Sequence, residues 1–165
     1  MPELILEIDK DDNSIGMRSR EDFYTDKLYH RSSVLLLFNN EGELLLQKRS
    51  VSKKWFPGVY EFSVSGTTGD ESDKECIERE AKEELGLTDL KFKFLFKITP
   101  SEKNDRVFNA VFSAQTNKEI VYDPEEIDSV QWVSLERLQK RITENSNRFS
   151  PQLIIGLEKY LKKNN

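Results

Sequence analysis

The sequence predicts an α/β fold of the α+β kind, a mixed β-sheet sandwiched between helices. Three features predict it. Short apolar stretches of strand character recur from Leu4 to Val133, a long helix-forming segment interrupts them at Ser72 to Leu85, and helical stripes close the chain. With 165 residues and no Pro/Gly/Ser-rich linker, low-complexity tract or repeat, residues 1–165 read as a single domain.

Leu4 to Ile8 is a short strand, the turn formers of DKDDNSIG follow, and Gly16 to Arg20 completes an N-terminal hairpin over about residues 3–20. Arg31 to Phe38 is a buried strand, Asn39-Asn40-Glu41-Gly42 a hairpin turn and Glu43 to Lys48 the partner strand. A loop, Arg49 to Gly58, mixes cations with Trp55, Phe56 and Pro57. Tyr60 to Ser65 is the next strand, and a loop from Gly66 to Glu71 leads into the helix at Ser72 to Leu85, which Gly86 stops. In KFKFLFKI, Phe92, Phe94, Phe96 and Ile98 alternate with Lys91, Lys93, Leu95 and Lys97, the pattern of a strand with one buried face. Val107 to Phe112 and Val130 to Val133 are further strands. Helices at about Leu135 to Arg141 and Pro151 to Lys162 end the chain, the second with Leu153, Ile154, Leu157, Tyr160 and Leu161 on one stripe.

Composition narrows the function. Hydrophobic residues make up 36% and charged residues 33%, enough for a core under a solvated surface and unlike a disordered or fibrous chain. The longest apolar run is Val34 to Phe38, far short of the roughly 20 residues a membrane-spanning helix needs. A net charge of −5, with basic residues clustered only in pairs, speaks against nucleic acid as the main partner. The opening MPELILEIDKDDN lacks the basic and apolar regions of a secretory signal, and the lone Cys76 allows no internal disulfide, so a cytoplasmic location is expected. Cys76 itself, on the central helix, reads as a packed residue.

The chemistry concentrates on that helix. Glu80, Glu83 and Glu84 stand at i, i+3 and i+4 and share a face, beside an apolar stripe of Ile77, Ala81 and Leu85. Like charges so placed oppose one another by roughly 0.2–0.5 kcal/mol per pair, and more where solvent is excluded. A divalent cation offsets that repulsion, since Mg²⁺ takes a few carboxylates and completes its shell with water and phosphate oxygens. A solvated acidic face is the plain alternative for three glutamates taken alone. The frame around them is far more specific: Glu71, seven residues, then Arg79-Glu80-Ala81-Lys82-Glu83-Glu84-Leu85-Gly86-Leu87. By average residue usage its six polar and glycine positions match by chance on the order of once in a hundred thousand such chains.

That frame, about residues 65–87, resembles the Nudix box. The resemblance implies a hydrolase of diphosphates linked to another group, with Mg²⁺ or Mn²⁺ held by Glu80, Glu83 and Glu84. It makes Glu83 or Glu80 the base that activates water, and pairs Arg79 with Glu71 to orient the loop. The box's glycine position falls on Ser65 with Gly66 after it. A loop one residue shorter would put Gly66 directly after the strand, its carbonyl on the metal. Glu126, in EEIDSVQW, matches a position where many Nudix enzymes carry a further ligand or base, and neighbouring Glu125 serves equally.

The similarity runs wider. LYHRSSVLLLFNNEGELLLQKRSVSKKWFPGVYEFSVSG, DPEEIDSVQWVSLERL and FSP are similar to isopentenyl-diphosphate isomerase and its Nudix relatives. The proton-transfer cysteine and glutamate of that isomerase fall here on Ser65 and Val107, and two of its metal-binding histidines on Phe23 and Thr67, leaving only His30. A serine hydroxyl is a poor acid for protonating an alkene, so the frame is present without the isomerase pair. His30 reads either as a ligand or phosphate contact near the site or as a strand-end histidine with a structural hydrogen bond. Arg49 and Lys53 match positions that touch the diphosphate, where guanidinium and ammonium groups suit phosphate oxygens. Trp55, Phe56 and Tyr60 are candidates to stack a base or an isoprenoid tail, or to serve as a core lid.

The expected function is therefore metal-dependent hydrolysis of a small-molecule diphosphate, of nucleoside-diphosphate type or related. The rivals are an isopentenyl-diphosphate isomerase and an inactive diphosphate-binding module. Monomer and homodimer remain equally open from sequence.

Overall fold

Strand formers and helix caps set the elements of a computed structural model that describes residues 3–101 and 106–165. A first hairpin pairs β1 (Leu4–Ile8) with β2 (Ser14–Ser19). Helix α1 (Arg20–Asp26) follows at once, a helix the sequence analysis passed over although Ser19 and Asp22 form a capping box. Then come β3 (His30–Phe38), β4 (Leu44–Arg49), β5 (Tyr60–Glu61), β6 (Val64–Thr67) and α2 (Asp73–Leu85). The chain ends with β7 (Lys93–Ile98), β8 (Val107–Gln115), β9 (Ile127–Val133), α3 (Leu135–Glu144) and α4 (Pro151–Lys163). Helix α2 begins on a Ser72/Glu75 capping box and stops at Gly86, whose φ of 67° is the left-handed conformation such a cap requires.

Among the described residues, β3 to β9 form one seven-stranded mixed sheet. Its centre is the parallel pair β3 and β8, in register from His30 opposite Val107 to Phe38 opposite Gln115. The β3–β4 hairpin is shallower than expected: Phe38 opposite Leu44 is its only paired position. Beyond that point the strands diverge, β4 pairing with β9 and β5 while β3 pairs with β6 and β8. Tyr60 to Ser65 is accordingly not one strand. Phe62 and Ser63 carry the chain across the opening from β5 to β6, and Ser63 ties both sides together. Its hydroxyl donates to the Leu45 carbonyl at 2.6 Å and accepts the Leu37 N–H at 3.0 Å.

Two cores follow from strand alternation. Val34, Leu36, Leu44, Leu46 and Val111 pack with Leu138 of α3 and Leu153 and Leu157 of α4, while Leu35, Leu37, Leu45, Ala110 and Phe112 pack with Ile77, Ala81 and Leu85 of α2. The sheet is thus sandwiched between helices, as expected. The alternation of KFKFLFKI breaks, however. A bulge between Phe94 and Phe96 puts Phe92 against the α2-side core and Phe96 with Ile98 in the other, and leaves Phe94 exposed on the Phe112 ring.

Candidate functional site

Strand β4 builds one wall. Gln47 lies on the same face as Leu45, toward α2, and its side-chain amide donates to Glu84 Oε1 at 2.8 Å and to the Ser63 carbonyl at 3.2 Å. A glutamine on the inward face of LLLQK was the signal for this partner, and the sequence analysis missed it. Directly opposite Gln47 stands Glu61, also missed, a carboxyl 5% exposed that accepts from the Ser150 hydroxyl and the Phe62 N–H. Burial pushes the Glu61 carboxyl above the usual range.

Helix α2 supplies the acids. Glu80 and Glu84, one helical turn apart, lie close enough that the charge of Glu80 acts on the Glu84 carboxyl. Burial pushes Glu80 up, against the pull of Glu84 and Arg79; burial and then the charge of Glu80 push Glu84 well above the normal carboxyl range. Glu83 does not join them. Its side chain is 58% exposed and turns to Arg79, 3.4 Å away. No group of three or more His, Cys, Asp or Glu side chains among the described residues is closed around one point. Arg79 Nε donates to Glu71 at 3.1 Å, its Nη2 makes a second bond to the same carboxyl, and its Nη1 reaches Glu80 at 2.7 Å. The Arg79 guanidinium holds Glu71 below the ordinary carboxyl range. Arg79 thus touches the acids themselves as well as the loop.

Gly66 corrects one expectation. It lies inside β6, opposite Ser33, rather than directly after a strand. Its missing side chain is nonetheless needed, because a Cβ there would overlap the Glu80 side chain. The Gly66 carbonyl faces the Cys76 thiol at 3.7 Å; Cys76 is fully buried, and burial pushes that thiol up to about 11.

The loop between β4 and β5 adds the cations. Lys53 pairs with Glu126, whose charge acts on the Glu84 carboxyl, whereas Glu125 is exposed. Arg49 donates from Nε and Nη2 to the Trp55 carbonyl, at 3.2 and 2.9 Å, and so braces its own loop. Trp55 stacks on Tyr24 of α1. Tyr60 is no ligand clamp: it is buried against Phe149, with Arg141 and Arg148 over its ring.

The isomerase positions fall on the other face of the sheet. Ser65 is opposite Val34 and Thr67 opposite Ser32, while His30 is opposite Val107 and edge-on to Phe23. Neither Ser65 nor Val107 offers a thiol or carboxyl, and the isomerase alternative has no support here.

The NUDIX domain profile matches residues 28–153 of the chain. The chain belongs to the NUDIX domain family. Nudix hydrolases generally use a divalent cation such as Mg²⁺. The carboxylate oxygens of Glu80 and Glu84 are of the hard kind that Mg²⁺ or Mn²⁺ takes, so the chemistry of these donors fits such an ion. This Nudix chain is 42% identical over 163 residues to a prenyl-diphosphate phosphatase of Methanosarcina mazei, covering 96% of the chain and 95% of that protein. It is 28% identical over 158 residues to the uncharacterized Nudix hydrolase YfcD of Escherichia coli, covering 95% and 86%. The crystal structure of DR0079 from Deinococcus radiodurans superposes with a TM-score of 0.78 at 27% identity, over 87% of this chain and 90% of that one. No helix among the described residues is long and apolar enough to cross a membrane.

Proposed function

We propose that this Nudix hydrolase is a Mg²⁺- or Mn²⁺-dependent enzyme that hydrolyses the diphosphate of prenyl diphosphates. The observation that carries the reading is the Glu80–Glu84 pair, a half-buried and a buried acid one helical turn apart beside Gly66, whose mutual repulsion a bound cation offsets. The substrate class is supported by the full-length similarity to the Methanosarcina mazei phosphatase. In this reading Glu80 and Glu84 hold the cation, with Glu126 and the Gly66 carbonyl at its margin. The cation, when bound, neutralises charge on the phosphate and makes bound water a usable nucleophile near neutral pH. Glu83, the solvent-facing acid, takes a proton from the attacking water. Arg79 and Glu71 keep the acids in place, Gln47 fixes the Glu84 carboxyl, and Lys53 with Arg49 binds phosphate oxygens. Residues 1–165 act as one domain.

The test is phosphate release from prenyl diphosphates, beside nucleoside diphosphate derivatives, with Mg²⁺, Mn²⁺ or EDTA. Chelation should abolish turnover, and Glu84→Gln and Glu80→Gln should each lower it by about a hundredfold or more. Full metal-dependent turnover in both variants, or tight binding without cleavage, would sink the proposal.

A further inference from the structure

The loop from Arg49 to Gly58 keeps apolar side chains in solvent. Val51 is 72% exposed, Phe56 54% and Trp55 38%, and Tyr24 beside them is 39% exposed. Exposed apolar side chains gathered on one loop and rimmed by polar residues are a mark of ligand-binding surfaces. Phe56 is also strained: its φ of 50° is left-handed, a conformation that costs a residue with a Cβ about 1–2 kcal/mol, and Pro57 follows it. Nothing in the core gains from an exposed phenylalanine held in that way.

The shape selects hydrocarbon over a nucleobase. Tyr24 and Trp55 already stack with centroids 4.0 Å apart and planes 20° apart, so no slot for a third ring lies between them. Lys54 sits 5.5 Å from the Trp55 ring centre as a cation–π partner. What remains is the exposed Phe56 ring and the aliphatic surface of Val51, apolar area that suits a flexible chain. The patch also begins where the phosphate-binding cations end. Lys53, two residues before Trp55, pairs with Glu126, and Arg49 grips the Trp55 carbonyl. From the other side, the Tyr24 hydroxyl accepts from Arg20, which pairs with Glu3, and Glu3 in turn feels the charges of Lys53 and Arg79.

We propose that Val51, Trp55 and Phe56, with Tyr24, form the seat for the hydrocarbon chain of the diphosphate substrate, and so set its preferred length. The inference rests on the prenyl-diphosphate reading above. The test compares kcat/KM for five-, ten- and fifteen-carbon prenyl diphosphates in the wild type, Trp55→Ala and Phe56→Gly. Phe56→Gly removes the ring while glycine accepts the left-handed backbone, so it should fold at least as well as the wild type. The wild type should prefer the fifteen-carbon substrate. Each variant should lose about tenfold on it, the effect of burying roughly two methylenes, and less than about twofold on the five-carbon one. An equal loss at every length, or a wild type indifferent to length, overturns the tail seat and leaves the hydrolase reading standing. A wild type that cleaves nucleoside diphosphate derivatives but no prenyl diphosphate overturns the substrate reading, and the seat with it.

Discussion

Gly66 shows how a single position shapes the site. Its backbone passes so close under Glu80 that one methyl group has no room. Gly66→Ala should displace the Glu80 carboxyl from Glu84, costing about 1–3 kcal/mol of stability and removing most of the hydrolysis. A thermal melt run beside a phosphate-release assay checks this, and an unimpaired variant would mean that Glu80 has no fixed role. The box residues were legible because their spacing is fixed within one helix. Gln47 left only the trace of an inward-facing glutamine, and the pairings of Gln47 with Glu84 and of Glu61 with Ser150 were not legible, because they span 37 and 89 residues of sequence.

At the scale of elements, the N-terminal hairpin is anchored by charge. Asp12, in its turn, accepts from Arg31 Nε and Lys97 Nζ, each at 2.6 Å. Burial raises the Asp12 carboxyl, but the bonds from Lys97 and Arg31 outweigh that and leave it below its ordinary value. A group lowered in the folded state stabilises above its unfolded value, near about 4, and that contribution is lost as pH falls through the folded value. Asp12→Asn should therefore be less stable at pH 7 and nearly equal to the wild type in strong acid, read as urea midpoints across pH. Equal midpoints at pH 7 would show that the anchor contributes nothing. Helix α1 was not read from the sequence, its Ser19/Asp22 box lacking the usual Glu or Gln, and neither was the β7 bulge: KFKFLFKI keeps its period on paper, and only pairing with β8 forces the slip.

Across the whole molecule, the opening between β3 and β4 places the site, since it lets Gln47 reach Glu84 on α2. Ser63 spans that opening with four bonds, through its hydroxyl, its N–H to the Leu35 carbonyl and its carbonyl from Gln47. Ser63→Ala leaves the buried Leu37 N–H without its acceptor and should cost about 1–3 kcal/mol, measured by denaturant unfolding. A neutral substitution would mean that the sheet holds its shape without this bridge.

The sequence by itself determined the class of fold, the helix that carries the acids and the family, because caps, period and box spacing are local and act within a few turns of chain. It did not determine which acids meet. Glu83, equal to its neighbours on a helical wheel, turns out to Arg79, while Glu84 is held beneath Gln47 of β4 and Glu80 lies over Gly66. Burial, not spacing, separates them, and burial is a property of the packed sheet and helix rather than of any segment alone.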